Sequence, residues 1–161
     1  MLRRLDLALL RLLQIKGHQP PVERAVLAYT HLGEHGVLWH LIAVAGTLVH
    51  PRERDTYTRA VRVIGIAYLA NIAVKYVVRR SRPLIEGLPA LSPTVTSLSY
   101  PSAHATTSFA AAAVLRRALP AAPLYAGAGA MALSRVYVGV HYPTDVAAGA
   151  GFGTALERLI P

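Results

Sequence analysis

The residues between Ser134 and Asp145 bring an Arg, a His and a carboxylate (Arg135, His141, Asp145) close together inside an otherwise apolar stretch. Polar groups in such a setting are costly unless they are partnered or used. Tyr142 precedes Pro143 and is biased away from helical dihedrals, while Pro143, Thr144 and Asp145 have the composition of a helix's first turn. Asp145 is favoured there as an anion by the helix dipole, and its sequence distance lets it reach back to one nitrogen of His141. A carboxylate that holds one imidazole nitrogen leaves the other free to attack or to take a proton. Taken alone, a capping Asp beside a core His is the commoner meaning of this pair, so the other motifs decide.

Upstream, Lys75 is followed after six residues by Arg82 and Pro83, and Pro101-Ser102-Ala103-His104 opens an apolar run. Three cations (Lys75, Arg82, Arg135), the Ser102 hydroxyl and a helix N-terminus make an anion cage, because guanidinium forks match phosphate oxygens in pairs. Two histidines, His104 and His141, can share proton work around such an anion. Each residue also has a plainer reading: Lys75 snorkelling to an interface, Ser102 as a cap, Ser134 bonded within its own helix. Arg79 and Arg80 fall between motif positions, and a topogenic cluster is the reading their place favours, with lipid head-group contact second. Glu86 is the acid of the following loop, fitted equally by substrate selection and by solvation.

The elements that must position these residues are apolar. Hydrophobic residues make up 53% and charged ones 16% of 161 residues, with mean hydropathy +0.38, which points to a membrane protein with a single domain. The net charge of +9 comes from cations that flank apolar runs with no interleaved stacking aromatics, so lipid or a phosphorylated substrate is expected as partner and nucleic acid is not. Without cysteine there are no disulfides or thiolate chemistry. His18, His31, His35 and His40 lack the spacing of a metal site, and neither a metal nor a cofactor is expected.

The expected fold class is all-α: an integral membrane bundle of about five transmembrane helices plus an N-terminal amphipathic helix. Residues 2–16 place Leu5, Leu9, Leu12 and Leu13 at helical spacing among Arg4, Arg11 and Lys16, an interfacial helix. A second amphipathic segment, Val22 to Leu32, ends at Gly33-Glu34-His35-Gly36. Residues 1–35 are thus N-terminal segments and 36–161 the catalytic bundle. The spans are read as Val37–Val49 with Trp39 as interfacial anchor, Val61–Val78, Pro101–Leu115, Ala121–Leu133 with Gly127 and Gly129 allowing close contact, and Val146–Ile160. Leu84 to Tyr100 is a long aperiodic connection, of the kind that is usually functional. Counting crossings puts Lys75–Arg82, Ser102–His104, Ser134–Arg135 and His141–Asp145 on one membrane face.

These three ordered motifs resemble the signatures of the type 2 phosphatidic acid phosphatase family, which shares its site with vanadium haloperoxidases. The one departure is Ala103, where the family usually has Gly; a backbone amide there still faces an anion if φ is negative. The resemblance implies that His141 is the nucleophile, forming a phosphohistidine, with Asp145 orienting it and His104 acting as general acid and then base. It implies that Lys75, Arg82 and Arg135, with Ser102 and Ala103, bind phosphate without a metal. The implied substrates are polyprenyl-linked or phospholipid phosphates: decaprenylphosphoryl-5-phosphoribose first, undecaprenyl diphosphate or phosphatidylglycerophosphate as alternatives. A haloperoxidase, a non-catalytic membrane scaffold and a nucleic-acid binder are the rival classes. Arg52, Arg54, Arg59, Arg116, Arg117 and Arg158 lie on the face opposite the motifs, which under the positive-inside tendency puts the site outside the cytoplasm of a bacterial inner membrane; Arg3, Arg4, Arg11, Lys16 and Arg24 argue the other way if the first segment does not cross.

Overall fold

The computed structural model describes residues 2–15, 19–85, 87 and 90–161, with the side chains of 2–4 and 13–15 left aside. The Lys16, His18 and Glu86 readings fall outside the described residues. The chain is all-helical: α1 (Leu2–Ile15), α2 (Pro20–Leu32), α3 (Val37–Val49), α4 (Arg54–Val78), α5 (Ala103–Leu115), α6 (Ala121–Tyr137) and α7 (Pro143–Leu159), with short 3-10 turns at Glu34–Gly36 and Pro51–Glu53. Ser81 and Leu98 form an isolated antiparallel β-bridge.

At 1.5 Å per residue α4 is about 37 Å long, enough to cross about 30 Å of hydrocarbon. Together with its 3-10 turn (Pro51–Val78) it is the one described helix that is long and apolar enough to do so unaided. Residues 50–55, expected as a polar loop, are partly its first turns. The segments α2 and α3 pass as a pair bent by 53°, broken at Gly33–Gly36, where His35 and Gly36 take positive φ of 52° and 73°. Hence α2 is not a free amphipathic segment but half of a broken helix, the kind of backbone a membrane fold tolerates where it lines a protein cavity.

The core centres on α5, whose residues from His104 to Leu115, apart from partly buried Phe109, are all buried. Its Ala-rich surface lets α4, α6 and α7 approach. The closest approach is made by α7, where a Cβ on Gly153 would meet the carbonyl oxygen of Thr106, its carbon at 2.9 Å and the Ala110 nitrogen at 3.0 Å. Gly149 is similar: a Cβ there would lie 2.6 Å from the Ser102 carbonyl oxygen. This is small-residue packing of backbone on backbone. The glycines of α6 play no such part: Gly129 faces open space, and Gly127 meets only Tyr29 and Trp39 at ordinary contact distance.

Trp39 is not an interfacial anchor. It is 3% exposed in the core and donates its indole N–H to Ser108 Oγ at 2.7 Å. At the end remote from the motifs, Glu157 is buried between Arg59 and Arg117 at 2.8 and 2.9 Å, and Arg59 also donates to the carbonyls of Glu157 and Ile160. Two of the arginines counted as topogenic thus also clamp the end of α7.

The exposed leucines of α1 (Leu5 51%, Leu9 49%, Leu12 50%) form a stripe facing away from the bundle, while Asp6 and Leu10 on the opposite face are buried. Leu10 packs with Ala132 and Val136 of α6 and Tyr142 and Val146 at the start of α7. The helix lies against the bundle and turns its leucines outward, as an interfacial helix does.

Gly153→Ala tests the α5–α7 contact. The added methyl meets backbone that cannot rotate away, so a loss of about 1–3 kcal/mol is expected as a lowered unfolding midpoint in detergent, whereas Gly129→Ala, with open space for the methyl and a gain in helix propensity, does not lower it. Equal midpoints for the two variants would disprove the backbone contact.

Candidate active site

The ends of α4 and α6 and the starts of α5 and α7 converge on one cavity of about 230 Å3. Its lining includes Lys75, Arg82, Ala103, His104, Arg135 and His141, together with Glu34 and His35 from the break between α2 and α3, Tyr68, Asn71 and Tyr76 of α4, and Pro93–Thr96 of the long connection. Five of the six charged or imidazole-bearing motif residues predicted from sequence thus share one space; the sixth, Asp145, lies directly behind His141.

Asp145 sits at the third position of α7 with no solvent exposure. Its Oδ2 accepts the backbone N–H of Tyr142 at 2.9 Å and lies 3.5 Å from His141 Nδ1. That separation is too long for a strong hydrogen bond, and Nδ1 has no other partner. On the other side of the ring, Arg82 Nη1 stands 3.3 Å from Nε2. A guanidinium can only donate, so Nε2 is the acceptor and the ring proton belongs on Nδ1, facing Asp145. Burial first, and then the charges of Arg82, Arg135 and Lys75, hold the His141 pKa down to about 3 against the opposing pull of Asp145. The ring is therefore neutral at pH 7, with the Nε2 lone pair turned toward Arg82.

The cations are held open by neutral acceptors. Lys75 Nζ donates to the carbonyls of Leu98, Ser99 and Pro101 at 3.3, 3.2 and 2.9 Å. Arg82 donates to the Thr96 carbonyl through Nε at 2.8 Å and to the Val140 carbonyl through Nη1 at 2.7 Å. Burial lowers its pKa to about 10, partly offset by Asp145, and it stays cationic at neutral pH. Arg135 donates from Nη1 to Thr30 Oγ1 at 2.7 Å, while its Nε is buried without a partner. A buried charged donor left open beside a cavity is suited to an arriving anion.

His104, in the first turn of α5, has its Nε2 3.1 Å from the Thr30 carbonyl, to which it donates, leaving Nδ1 as the basic nitrogen. Ala103 lines the cavity as the first residue of α5, where φ is helical and negative as its substitution for Gly requires. Ser102 stands apart from the predicted cradle: it is fully buried, is absent from the cavity lining, and places its hydroxyl 3.5 Å from Ala105 N as the helix N-cap. Ser134 lies 2.7 Å from the Met131 carbonyl within its own helix and 3.0 Å from Thr30 Oγ1.

Two participants were not legible in the sequence. Thr30 supplies its carbonyl to His104 and its hydroxyl to Arg135; its one signal was a polar residue three places before the glycine of a helix break. Gly33, a turn later, lets the chain pass the His104 ring: a Cβ there would meet Met131 Sδ and His104 Cδ2, the latter at 2.6 Å. Arg80 is a correction. Beyond the topogenic or head-group role expected of it, it donates to Asp145 Oδ1, Thr144 Oγ1 and Asp6 Oδ2, each at 2.8 Å, and lies 4.0 Å over the Tyr142 ring. Arg79 is exposed and ends α4 with a φ of 55°. Of the histidines weighed for a metal, His31 pairs with Glu34 at 3.3 Å, His35 with Tyr68 OH at 2.7 Å, and His40 with the Gly36 carbonyl at 3.0 Å, so they do not converge.

A membrane-embedded helical fold that gathers cations around a neutral histidine defines a phosphate-handling enzyme of the lipid phase. The family model of the PAP2 superfamily matches residues 56–161. The chain belongs to that superfamily, and it is a lipid phosphatase. It is 40% identical over 133 residues to decaprenylphosphoryl-5-phosphoribose phosphatase of Mycolicibacterium smegmatis, covering 81% of this chain and 73% of that protein. To the protein of the same name from Mycobacterium tuberculosis it is 36% identical over 131 residues, covering 81% and 74%. To an undecaprenyl-diphosphatase of Sulfolobus acidocaldarius it is 36% identical over 117 residues, covering 70% and 57%. Among solved structures it resembles LpxE of Aquifex aeolicus (TM-score 0.83, 25% identity, 96% and 93% coverage). It also resembles the transmembrane PAP2-type phosphatidylglycerolphosphate phosphatase of Bacillus subtilis (TM-score 0.77, 26% identity, 98% and 83% coverage).

Thr30→Val removes the acceptor of Arg135 while keeping the carbonyl that holds His104. Loss of a hydrogen bond to a buried charge costs about 1.5–3 kcal/mol, so both a lower unfolding midpoint and weaker inhibition by inorganic phosphate are expected. Wild-type values for both would show that Thr30 does not hold the guanidinium.

Proposed function

We propose that the chain hydrolyses a polyprenyl-linked phosphomonoester through a phosphohistidine on His141, with decaprenylphosphoryl-5-phosphoribose as its substrate. The observation that carries the mechanism is the His141 ring itself: neutral, with Nε2 facing Arg82 in a cavity that Lys75 and Arg135 also line, and its proton toward a buried carboxylate. The phosphate takes the place between the three cations and the start of α5, where Arg135 Nε is open and Arg82 exchanges its contact with Nε2 for a phosphate oxygen. Nε2 then attacks phosphorus as the bond to the ribose oxygen breaks, and His104, which takes up a proton at Nδ1 as the anionic phosphate binds beside it, delivers that proton to the leaving oxygen. Asp145 balances the imidazolium that develops. In the second half His104 takes a proton from water, which attacks phosphorus and returns the His141 lone pair with release of inorganic phosphate. The equatorial oxygens are neutralised by guanidinium and ammonium groups, the task that Mg2+ performs in other phosphoryl transferases. Ser102 serves this scheme as the cap of α5 rather than as a phosphate ligand.

The substrate assignment rests on the two mycobacterial relatives, each matched over most of its length. Its physical support is the cavity wall: beside the cationic end stand Glu34, His35, Tyr68 and Asn71, polar groups suited to the hydroxyls of a sugar, and a carboxylate there disfavours the second phosphate of a diphosphate.

We further place the whole chain in one domain in a bacterial inner membrane. In this reading the bent pair α2–α3 makes one crossing and α4 to α7 make four, with α1 on the interface at the rim of the site. Helices α5 to α7, at about 20–25 Å, are short for the bilayer and are accommodated by local thinning and flanking turns. The catalytic rim faces away from the cytoplasm.

Phosphate release from decaprenylphosphoryl-5-phosphoribose, undecaprenyl diphosphate and phosphatidylglycerophosphate by the purified protein ranks the substrates, and the first is expected to lead by at least tenfold; a lead for either of the others removes the assignment. His141→Ala is expected to abolish turnover by several orders of magnitude with the fold retained, and chelators to leave the wild type unaffected. Because the His141 pKa lies near 3, the imidazole stays free as pH falls from 8 to 5. An acid limb of kcat/KM is therefore expected near the second phosphate ionisation of the substrate, about pH 6, and unmoved by Asp145→Asn. A limb that shifts with that variant would assign the titration to His141.

A further inference from the structure

The route from α1 to the nucleophile is continuous. Asp6 is 3% exposed; its Oδ1 accepts the backbone N–H of Thr144 at 3.0 Å, and its Oδ2 accepts the Thr144 hydroxyl at 2.6 Å and Arg80 Nη2 at 2.8 Å. Arg80 in turn holds Asp145 Oδ1 through Nη1 at 2.8 Å. One planar guanidinium thus bridges two buried carboxylates, a geometry that a flexible ammonium does not reproduce. The Asp6 carboxyl is desolvated, which alone would raise its pKa, but the bonds from Arg80 and Thr144 outweigh burial and hold it lowered; Arg80 is correspondingly held raised.

We propose that Asp6 is a positioning residue for catalysis, acting through Arg80 and Thr144 to fix the carboxylate of Asp145 behind His141. The inference rests on the reading of His141 as nucleophile. The distances show why Asp145 needs that help. Its Oδ2 is shared between Tyr142 N and His141 at 2.9 and 3.5 Å, so a small rotation of the carboxylate changes the contact that must tighten as the imidazolium forms. Oδ1 is the handle on that rotation, and Arg80 is the group that grips it. Arg80 left with Asp145 alone would be free to swing, because its remaining contacts are the Thr144 hydroxyl and the Tyr142 ring face. Asp6 completes the second half of the fork and also pins the first turn of α7 from which Asp145 projects. Neither Asp6 nor Arg80 lines the cavity, so the effect falls on the chemical step and not on anion binding.

The test is a kinetic comparison of full-length wild type, Asp6→Asn, Asp6→Glu and His141→Ala in one detergent, using the lipid phosphate of the panel above that the wild type turns over fastest. Asp6→Asn keeps the shape of the side chain and removes the charge that Arg80 pairs with. It is expected to lower kcat by 10–100-fold while KM and the inhibition constant of inorganic phosphate stay within threefold, and Asp6→Glu is expected to recover most of the kcat. A kcat within twofold of wild type in Asp6→Asn overturns the proposal. So does a loss in which kcat, KM and unfolding midpoint decline together without recovery in Asp6→Glu, since that describes a helix needed only for the fold. The control separates the premises: activity surviving in His141→Ala, or absent from the wild type on every substrate, removes the nucleophile assignment and the proposal with it, whereas a dead His141→Ala beside a fully active Asp6→Asn removes the proposal alone.

Discussion

A carboxylate with no access to water must be surrounded by donors, and Asp145 is the group around which this end of the bundle is arranged. It draws an arginine from the end of α4, an amide from the turn between α6 and α7, and the ring of His141. Because these partners come from different parts of the chain, meeting the needs of one buried charge also fixes how α4, α6 and α7 end relative to one another. The histidine gains its tautomer from the same arrangement, through Asp145 on one nitrogen and Arg82 on the other.

Lys75, Arg82 and Arg135 line one small cavity and repel one another, and the fold answers with neutral oxygen acceptors rather than counter-ions. The connection after α4 supplies most of them. It folds back through the Ser81–Leu98 bridge, and the carbonyls of Thr96, Leu98 and Ser99 then face the cations. Neutral acceptors satisfy the donors without cancelling the charge, so the positive potential is kept for an anion. The backbone of residues 96–99 is thus part of the cage.

The same economy governs the membrane part. Short helices rich in Ala and Gly approach backbone to backbone around α5, which leaves room at the converging ends for large charged side chains. The break between α2 and α3 sets Thr30 and Gly33 against His104 and Arg135, so an irregular stretch of backbone is spent where polar groups need it.

The three motifs could be read from the sequence because their chemistry depends on residue type and local spacing. A Pro at a helix start, a carboxylate one turn after a histidine and cations at the ends of apolar runs each have meaning within a dozen residues, and counting crossings placed them on one rim. What pairwise contact decides was not available there. Trp39 looked like an interfacial anchor until a partner hydroxyl was found for it in the core, and Ser102 looked like a phosphate ligand until its hydroxyl turned out to cap its own helix. Arg80 read as one of a topogenic cluster because its two carboxylates, Asp6 and Asp145, lie 74 and 65 residues away along the chain. Sequence alone therefore determined which groups could do the chemistry and toward which face they lie, since both follow from hydrophobic patterning and residue identity. Only the tertiary structure decided which arginine faces the cavity and which steadies a carboxylate, because a guanidinium's role is set by the groups that surround it and not by the residue itself.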